Sequence, residues 1–374
     1  MTARCLPFLE TTMDNEEQIF LKNCWYVAAW DYELLDGKKL ARTILEKPVV
    51  LFRGESGRYI ALDDRCCHRG APLSMGRVEG DCLRCMYHGM KYDPSGTCIE
   101  VPGQERIPKT LRVHSYPVVE RGHLVWIWMG DPALADEDLI VDYPPLHDPK
   151  WRGLPAYLHY DANWLLIVDN LSDLAHLAFV HTNTLGGSEE YAYKTKPATI
   201  ERLDNGFYLE RWHRDSDPPP YHKKVIPASE HDKKLDRRNQ VTMLIPGIFL
   251  METLFSPAGS GIEDGARQYR NCQYMTPETR RTTHFFWNYL HNYDLDNPNV
   301  AISLRDSLFE GFYEDKAIIE AQQVLLDRDP DFRMRALEAD VALTHFRQTL
   351  KKRIKEENAA EQAPAKPAVK TASA

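Results

Sequence analysis

The chain has 374 residues, 43% of them apolar, and a formal net charge of −9. That length accommodates two domains, or three at most, and the acidic balance argues against a nucleic-acid binder, which needs a basic face. It is compatible with docking a basic patch on a protein partner.

The opening residues, Met1-Thr2-Ala3-Arg4-Cys5-Leu6-Pro7-Phe8, carry no long apolar run, so no secretory leader is expected. No stretch reaches the roughly 20 apolar residues of a membrane-spanning helix. Eight cysteines in such a chain read as reduced thiols in the cytoplasm rather than as a disulfide framework. Cys5, Cys24, Cys98 and Cys272 are scattered and read as structural. Residues 1–19 form a polar N-terminal extension. The folded body begins near Cys24-Trp25-Tyr26-Val27, and a first domain is expected over residues 20–140. Pro48–Arg53 and Tyr59–Leu62 are β-rich runs separated by Gly54 and Gly57, a hairpin pattern. Tyr116–Glu120 and Leu124–Met129 add two strands around Arg121-Gly122, so this domain reads as all-β.

Between those strands lie Cys66-Cys67-His68 and, sixteen residues on, Cys85-Met86-Tyr87-His88. Each short loop offers one thiolate and one imidazole. Structural zinc loops pair like with like, as C-x2-4-C and H-x3-5-H. The mixed pairs suit a Rieske [2Fe–2S] centre instead, in which two Cys hold one iron and two His the other. Cys66 and Cys85 would share one iron, His68 and His88 the second. A zinc-stabilised binding module is the competing reading of the spacing. Cys67 reads as a small packed side chain.

Pro132–Pro149, rich in Asp and Pro, reads as the connection to a second domain over residues 141–354. Within it, Asp169-Asn170-Leu171-Ser172-Asp173-Leu174-Ala175-His176-Leu177-Ala178-Phe179-Val180-His181 has helical composition, which places Asp169, Asp173 and His176 on one face. A straight helix would splay His176 and His181 by roughly 140°. For both to bind one metal the helix must end, bend or carry a π-bulge between them. Leu308–Glu320 is a second helical stretch, with Glu314, Asp315 and Lys316 at its centre. Between the helices lie the β-rich runs 206–212, 241–246, 249–255 and 282–289. His284, Trp287 and Asn288 on the last of these are candidates for a substrate pocket. The polar, proline-rich stretch 216–238 reads as a mobile loop near its mouth. Residues 355–374, rich in Ala, Pro, Lys and Glu, read as a disordered tail.

Cys66–Leu73 and Cys85–Tyr92 resemble the two cluster loops of Rieske non-haem iron oxygenases, most of all the oxygenase components of the vanillate O-demethylase and dicamba monooxygenase type. The resemblance runs from about Phe20 to about Leu350. The pattern N-x2-D-x2-H-x4-H at Asn170, Asp173, His176 and His181 resembles that family's mononuclear iron helix, and Glu314-Asp315-Lys316 its E-D-K segment. The resemblance implies an α+β chain, with an N-terminal all-β Rieske domain and a C-terminal helix-grip catalytic domain of curved antiparallel sheet and helices. It implies one [2Fe–2S] cluster and one iron(II) per subunit, the iron held by His176, His181 and Asp315, with Asn170 nearby. A flavin- and [2Fe–2S]-containing reductase would supply electrons, and O2 would oxidise a carboxylated, methoxylated aromatic by O-demethylation. Ring hydroxylation, cis-dihydroxylation, diaryl ether cleavage and a purely electron-carrying role stay open. The resemblance further implies a homotrimer in which the Asp173 carboxylate bridges His176 of its own chain and His88 of the adjacent chain.

Overall fold

A computed structural model of the protein describes residues 20–186, 189, 192–193, 198–261 and 266–362. The expected extension over 1–19 lies outside the described residues. The N-terminal half forms three small antiparallel sheets. One joins β1 (Trp25–Trp30), β10 (Val118–Arg121) and β11 (Leu124–Trp128). A second runs β2 (Lys39–Ile44), β3 (Lys47–Arg53), β4 (Tyr59–Asp63), β9 (Ser115–Tyr116). The third runs β5 (Arg77–Glu79), β6 (Cys82–Arg84), β7 (Lys91–Tyr92), β8 (Cys98–Glu100); one Cys/His loop lies in the connection from β4 to β5, and the other joins β6 to β7. The β3–β4 hairpin turns at Gly54 and Gly57, as the sequence pattern indicates, with Gly54 donating to Arg58 O at 2.9 Å. The run Tyr116–Glu120, expected as one strand, is two. Pro117 lacks an N–H for a continuous ladder, and the chain changes sheets there.

The second half is built on an eight-stranded antiparallel sheet. Its long strands are β15 (Gly206–Ser216), β16 (Leu235–Leu244), β17 (Ile248–Pro257), β18 (Arg267–Pro277) and β19 (Thr283–His291). At one edge lies β14 (Thr199–Leu203). At the other, β12 (Arg152–Gly153) and β13 (Ala156–Tyr160) both pair with β19. The helices include α1 (Trp164–Ser172), the short α2 (Leu177–Val180), α3 (Pro298–Arg328) and α4 (Val341–Gln362), with one further turn of helix at Pro220–Lys223. Alternate residues of the central strands face opposite sides, and here both sides are covered. Phe285, Trp287 and Tyr289 pack into the core under the helices. Phe286 and Leu290 pack instead with Trp25, Trp30, Trp126 and Trp128 of the first domain. Thr276 donates to Val27 O at 2.7 Å across the same seam.

Three sequence expectations need correction. Residues 235–238 belong to β16, and Tyr221 and His222 are buried, so 216–238 is not wholly a loop at the surface. His222 is buried because its Nδ1 meets the Tyr269 hydroxyl at 2.6 Å and its ring stacks on Phe255 at 4.1 Å. Strand β18, with its polar Gln268, Asn271 and Gln273, escaped the sequence reading altogether. Finally, α4 runs through 355–362, which the composition marks as disordered; residues 363–374 lie outside the described residues. One contact accounts for the extra turns. Glu357 is only 8% exposed, and its carboxylate accepts the main-chain N–H groups of Lys22 (2.9 Å) and Asn23 (2.8 Å). Glu357→Ala, which leaves both donors unpaired, should cost about 1–3 kcal/mol. A lowered denaturation midpoint with an unchanged slope would register it.

Candidate metal centres and substrate pocket

The two Cys/His loops share one backbone design. Cys66 N–H donates to Ala71 O and Gly70 N–H to Cys66 O, both at 2.9 Å. Cys85 N–H donates to Met90 O at 2.8 Å and Gly89 N–H to Cys85 O at 3.0 Å. Each loop closes through a glycine at positive φ, +71° for Gly70 and +74° for Gly89, a region that side chains disfavour. Cys66 and Cys85 are buried while His68 and His88 are exposed, their rings 4.6 Å apart. Two buried sulfurs beneath two solvent-edge imidazoles form a donor set that fits a [2Fe–2S] cluster with its histidine-bound iron outermost. The buried Tyr92 hydroxyl lies 3.1 Å from Cys66 Sγ, and a hydrogen bond to a cluster sulfur is one lever on its potential. Cys67, expected to be packed, is exposed, with Sγ 3.3 Å from the same hydroxyl.

The second centre forms where the helical stretch 169–181 breaks. Asp173 has extended backbone angles (φ −110°, ψ 107°) and ends α1; His176 and His181 then flank α2. Asp169, Asp173 and His176 therefore do not share a helix face. Asp169 pairs with Arg347 instead. The break turns the two imidazoles toward each other, at 5.3 Å between centroids. Gly186 permits the return of the chain, since a Cβ there would collide with Leu177 O.

Asp315, 4% exposed on α3, completes the group. Its Oδ1 lies 3.0 Å from His181 Nε2 and 3.6 Å from His176 Nε2, and accepts from Asn170 Nδ2 at 3.0 Å. One nitrogen or oxygen from each of His176, His181 and Asp315 falls within 4.8 Å of the others. His181 Nε2 is buried without a well-aligned hydrogen bond, despite its closeness to Asp315. Such a nitrogen facing a carboxylate fits a metal position better than a hydrogen-bonded pair.

The other ring nitrogens are held from behind. His176 Nδ1 bonds the main-chain carbonyl of Asp173. The expected bond from the Asp173 carboxylate to His176 is thus replaced by one from its backbone, and Oδ1 accepts the Ala175 N–H at 2.6 Å. His181 Nδ1 meets Glu314 Oε2 at 2.7 Å, and Thr184 Oγ1 donates to the same oxygen at 2.6 Å. Glu314, a rival ligand in the sequence, instead serves the far side of the ring. A helix places consecutive residues about 100° apart, which lets Asp315 and Glu314 reach opposite nitrogens of one imidazole. Burial lowers the His176 imidazole from its ordinary value, against the pull of Asp315. Burial also opposes protonation of His181, but Asp315 and Glu314 outweigh it and raise the ring.

The three side chains open onto a cavity of about 560 Å³. Leu171, Leu174, Phe249, Met251 and Phe312 give it apolar walls, and Asn271, Gln273, Tyr289 and Arg237 give it polar points. The expected pocket residues fall elsewhere. His284 faces the first domain, bonding Thr43 O (3.0 Å) and the Tyr157 hydroxyl (2.8 Å). Asn288 shares that side of β19. Trp287 lies on the helix side but packs against Phe309 and Phe312 without lining the cavity. Period two along β19 would have carried the reading from Trp287 to Tyr289.

Glu314→Gln should keep the colour of the [2Fe–2S] domain while weakening iron retention about 10–100-fold, the usual effect of removing a carboxylate behind a ligating histidine. Iron and acid-labile sulfide analysis after dialysis against a chelator would show it; full iron occupancy would count against the role given to Glu314.

Residues 24–117 match the Rieske [2Fe-2S] domain, and residues 160–356 match the vanillate O-demethylase oxygenase C-terminal domain. The chain is 44% identical over 348 residues to the toluene-4-sulfonate monooxygenase system iron-sulfur subunit of Comamonas testosteroni, covering 91% of this chain and 99% of that one. It superimposes on dicamba monooxygenase bound to 3,6-dichlorosalicylic acid with a TM-score of 0.84 at 32% identity, over 91% of this chain and 99% of the other. It also superimposes on dicamba monooxygenase with non-haem iron and dicamba, at TM-score 0.75 and 30% identity, over 92% and 100% of the two chains.

Proposed function

We propose a function on the premise that the chain belongs to the Rieske non-haem iron oxygenases, as the oxygenase component of a multicomponent monooxygenase. The proposal is that it oxidises a one-carbon substituent of an aromatic acid, with O-demethylation of a methoxy group as the reaction. The observation that carries it is the convergence of His176, His181 and Asp315 on a mostly apolar cavity that also holds one buried cation, Arg237. An apolar slot suits a ring, and a guanidinium suits its anionic group. The 44% identity to a toluene-4-sulfonate monooxygenase subunit supports a second product from the same site, a hydroxylated ring methyl. Both reactions insert oxygen into a C–H bond of a one-carbon group. From a methoxy carbon the product is a hemiacetal, which collapses to a phenol and formaldehyde.

In this reading Cys66, Cys85, His68 and His88 hold the [2Fe–2S] cluster, and His176, His181 and Asp315 hold iron(II). When bound, the two centres supply single electrons and activation of O2. The protein supplies orientation. The Asp173 carbonyl and Glu314 each take an Nδ1 proton, which directs both Nε2 atoms to the metal. Asn170 holds one Asp315 oxygen and so fixes the third ligand. Leu171, Leu174, Phe249 and Phe312 keep bulk water from the reacting carbon. A flavin and [2Fe–2S] reductase delivers the electrons, and the same reading places the protein in the cytoplasm, where its thiolates stay reduced.

The reading includes a homotrimer. The buried cluster beneath the Cys/His loops contains residues of the first domain alone, which supports a cluster that serves a centre outside its own chain's second domain. Electrons then pass between neighbouring subunits, from His88 of one chain to Asp173 and His176 of the next. Among the described residues, the second carboxylate oxygen of Asp173 takes no hydrogen bond, which suits it to accept from a neighbour's imidazole.

With a reductase, NAD(P)H and a methoxybenzoate, oxygen uptake should depend on the substrate and yield formaldehyde; uptake indifferent to every aromatic acid would sink the proposal. Cys66→Ala should abolish the visible chromophore, whereas Asp315→Ala should retain it and lose turnover. Asp173→Asn should bind both metals, sediment as a trimer and turn over more than about tenfold slower. A fully active monomer would rule out the inter-subunit path.

A further inference from the structure

The sheet floor beside the metal-ligand cavity carries a group of basic residues that the metal chemistry does not use. Arg237 on β16 lies directly across from His213 on β15, and Arg211 is two residues along on the same face, opposite Asn239. Arg237 is 8% exposed and Arg211 9%. Arg237 lines both the cavity of the three ligands and an adjoining one of about 440 Å³, which Arg211 and His213 also line. Like charges side by side on a sheet repel, and a buried guanidinium without a counter-charge is costly. Burial, with Arg237 and Arg211 beside it, pushes His213 down to about 3. Burial likewise lowers Arg211, with Asp173 opposing.

Among the described residues the compensation is incomplete. Arg237 Nε donates to Asn239 Oδ1 at 3.2 Å and Nη1 to Leu185 O at 3.5 Å, and the rings of Tyr221 and Phe255 lie 5.7 and 5.6 Å from its guanidinium carbon. All four partners are neutral. Among the described residues Arg211 Nε is buried with no hydrogen-bond partner. Among the described residues no carboxylate comes within 4.0 Å of either guanidinium. Among the described residues three acids stand nearby: Asp173, which acts on Arg211 from a distance, Asp315, which lines the first cavity with Arg237, and Asp217, which lines the second and pairs with Lys234 at 2.8 Å.

We infer that Arg237, backed by Arg211, seats the planar or tripodal oxyanion of the substrate, a carboxylate or sulfonate on the aromatic ring, in the cavity that His176, His181 and Asp315 face. The inference rests on the oxygenase reading and adds the residue that selects the substrate's charge. Arginine presents paired N–H donors that match such an oxyanion. An anion held there anchors the ring and leaves the substituent to reach the ligand trio. Arg237 is in this sense a specificity-determining residue, and Arg211 a supporting charge behind it.

The test is calorimetric binding to the anaerobic ferrous holoenzyme, with benzoate, 4-toluenesulfonate and the neutral isostere 4-toluenesulfonamide as probes. The wild type should bind at least one anion more tightly than the sulfonamide, and which anion it prefers identifies the oxyanion. Arg237→Gln should weaken that anion by at least about 30-fold, as loss of a buried charge partner does, and leave the sulfonamide essentially unchanged. Arg237→Lys should recover part of the loss, and Arg211→Gln should weaken the anion by a smaller factor. An unchanged cluster spectrum and melting curve would establish that the variants are folded. If Arg237→Gln does not fold, Arg237→Lys and Arg211→Gln decide the matter by the same anion-selective loss. Equal losses for anion and sulfonamide, or an unaltered anion affinity, would overturn the inference. A wild type that binds only the sulfonamide, yet couples oxygen uptake to neutral aromatics, would overturn it while leaving the oxygenase reading intact. No aromatic-dependent oxygen uptake at all would fell both.

Discussion

Burying a carboxylate costs several kcal/mol unless charge or hydrogen bonds meet it, and Asp315 is buried at the centre of the catalytic domain. Asn170 Nδ2 donates to its Oδ1, and the Nε2 atoms of His176 and His181 stand 3.6 and 3.0 Å from the same oxygen, around a position that fits a metal cation. To bring them there the chain must stop α1 at Ser172, extend through Asp173 and restart as α2. The break in the helix follows from the carboxylate on α3: a continuous helix would leave one imidazole on the wrong side. Glu314, the next residue on α3, then becomes available to the back of His181. Helix geometry, the break and the ligand set are one constraint expressed at three places.

The two centres are built on opposite principles. Around the Cys/His loops the scaffold is small strands and tight turns, with the sulfurs inside and the imidazoles outside. That arrangement shields the thiolates and puts the electron-exchanging edge at the surface. In the second domain the ligands are inside, facing an apolar cavity, where exclusion of water strengthens every electrostatic contact. Between them runs a buried apolar seam of tryptophans from β1 and β11 against β17, β18 and β19, which packs the two domains together.

The wide sheet serves two cores at once. Successive residues of β18 and β19 alternate between the tryptophan seam and the cavity side. On the cavity side the polar positions Asn271, Gln273, Tyr289 and Arg237 interrupt an otherwise apolar surface. Polar groups survive burial only with partners or with a ligand. Their concentration around a single cavity distinguishes this face from the seam behind it.

The candidate metal ligands are legible in the amino-acid order because ligation demands particular side chains at short local spacings, Cys66 to His68, Cys85 to His88 and His176 to His181. Strands with a clear hairpin signal were legible for the same local reason, as in β3 and β4. Which side of β19 faces the cavity is not. The strand is buried on both faces, so period-two alternation leaves no polar stripe to mark the inside, and His284 and Asn288 read as well as Tyr289. Strand β18 and the buried start of β16 went unseen because polar residues such as Asn271, Gln273 and Arg237 face a cavity that residues far along the chain complete. The same holds for Glu357 at Lys22 and Asn23, and for the bond that His176 makes to the Asp173 carbonyl rather than to its carboxylate. The amino-acid order alone carries the candidate ligand chemistry, which lies in side-chain identity. Only the tertiary structure decided the bend at Asp173, the lining of the cavity and the seating of Arg237, because each depends on charges and packing supplied by residues far away along the chain.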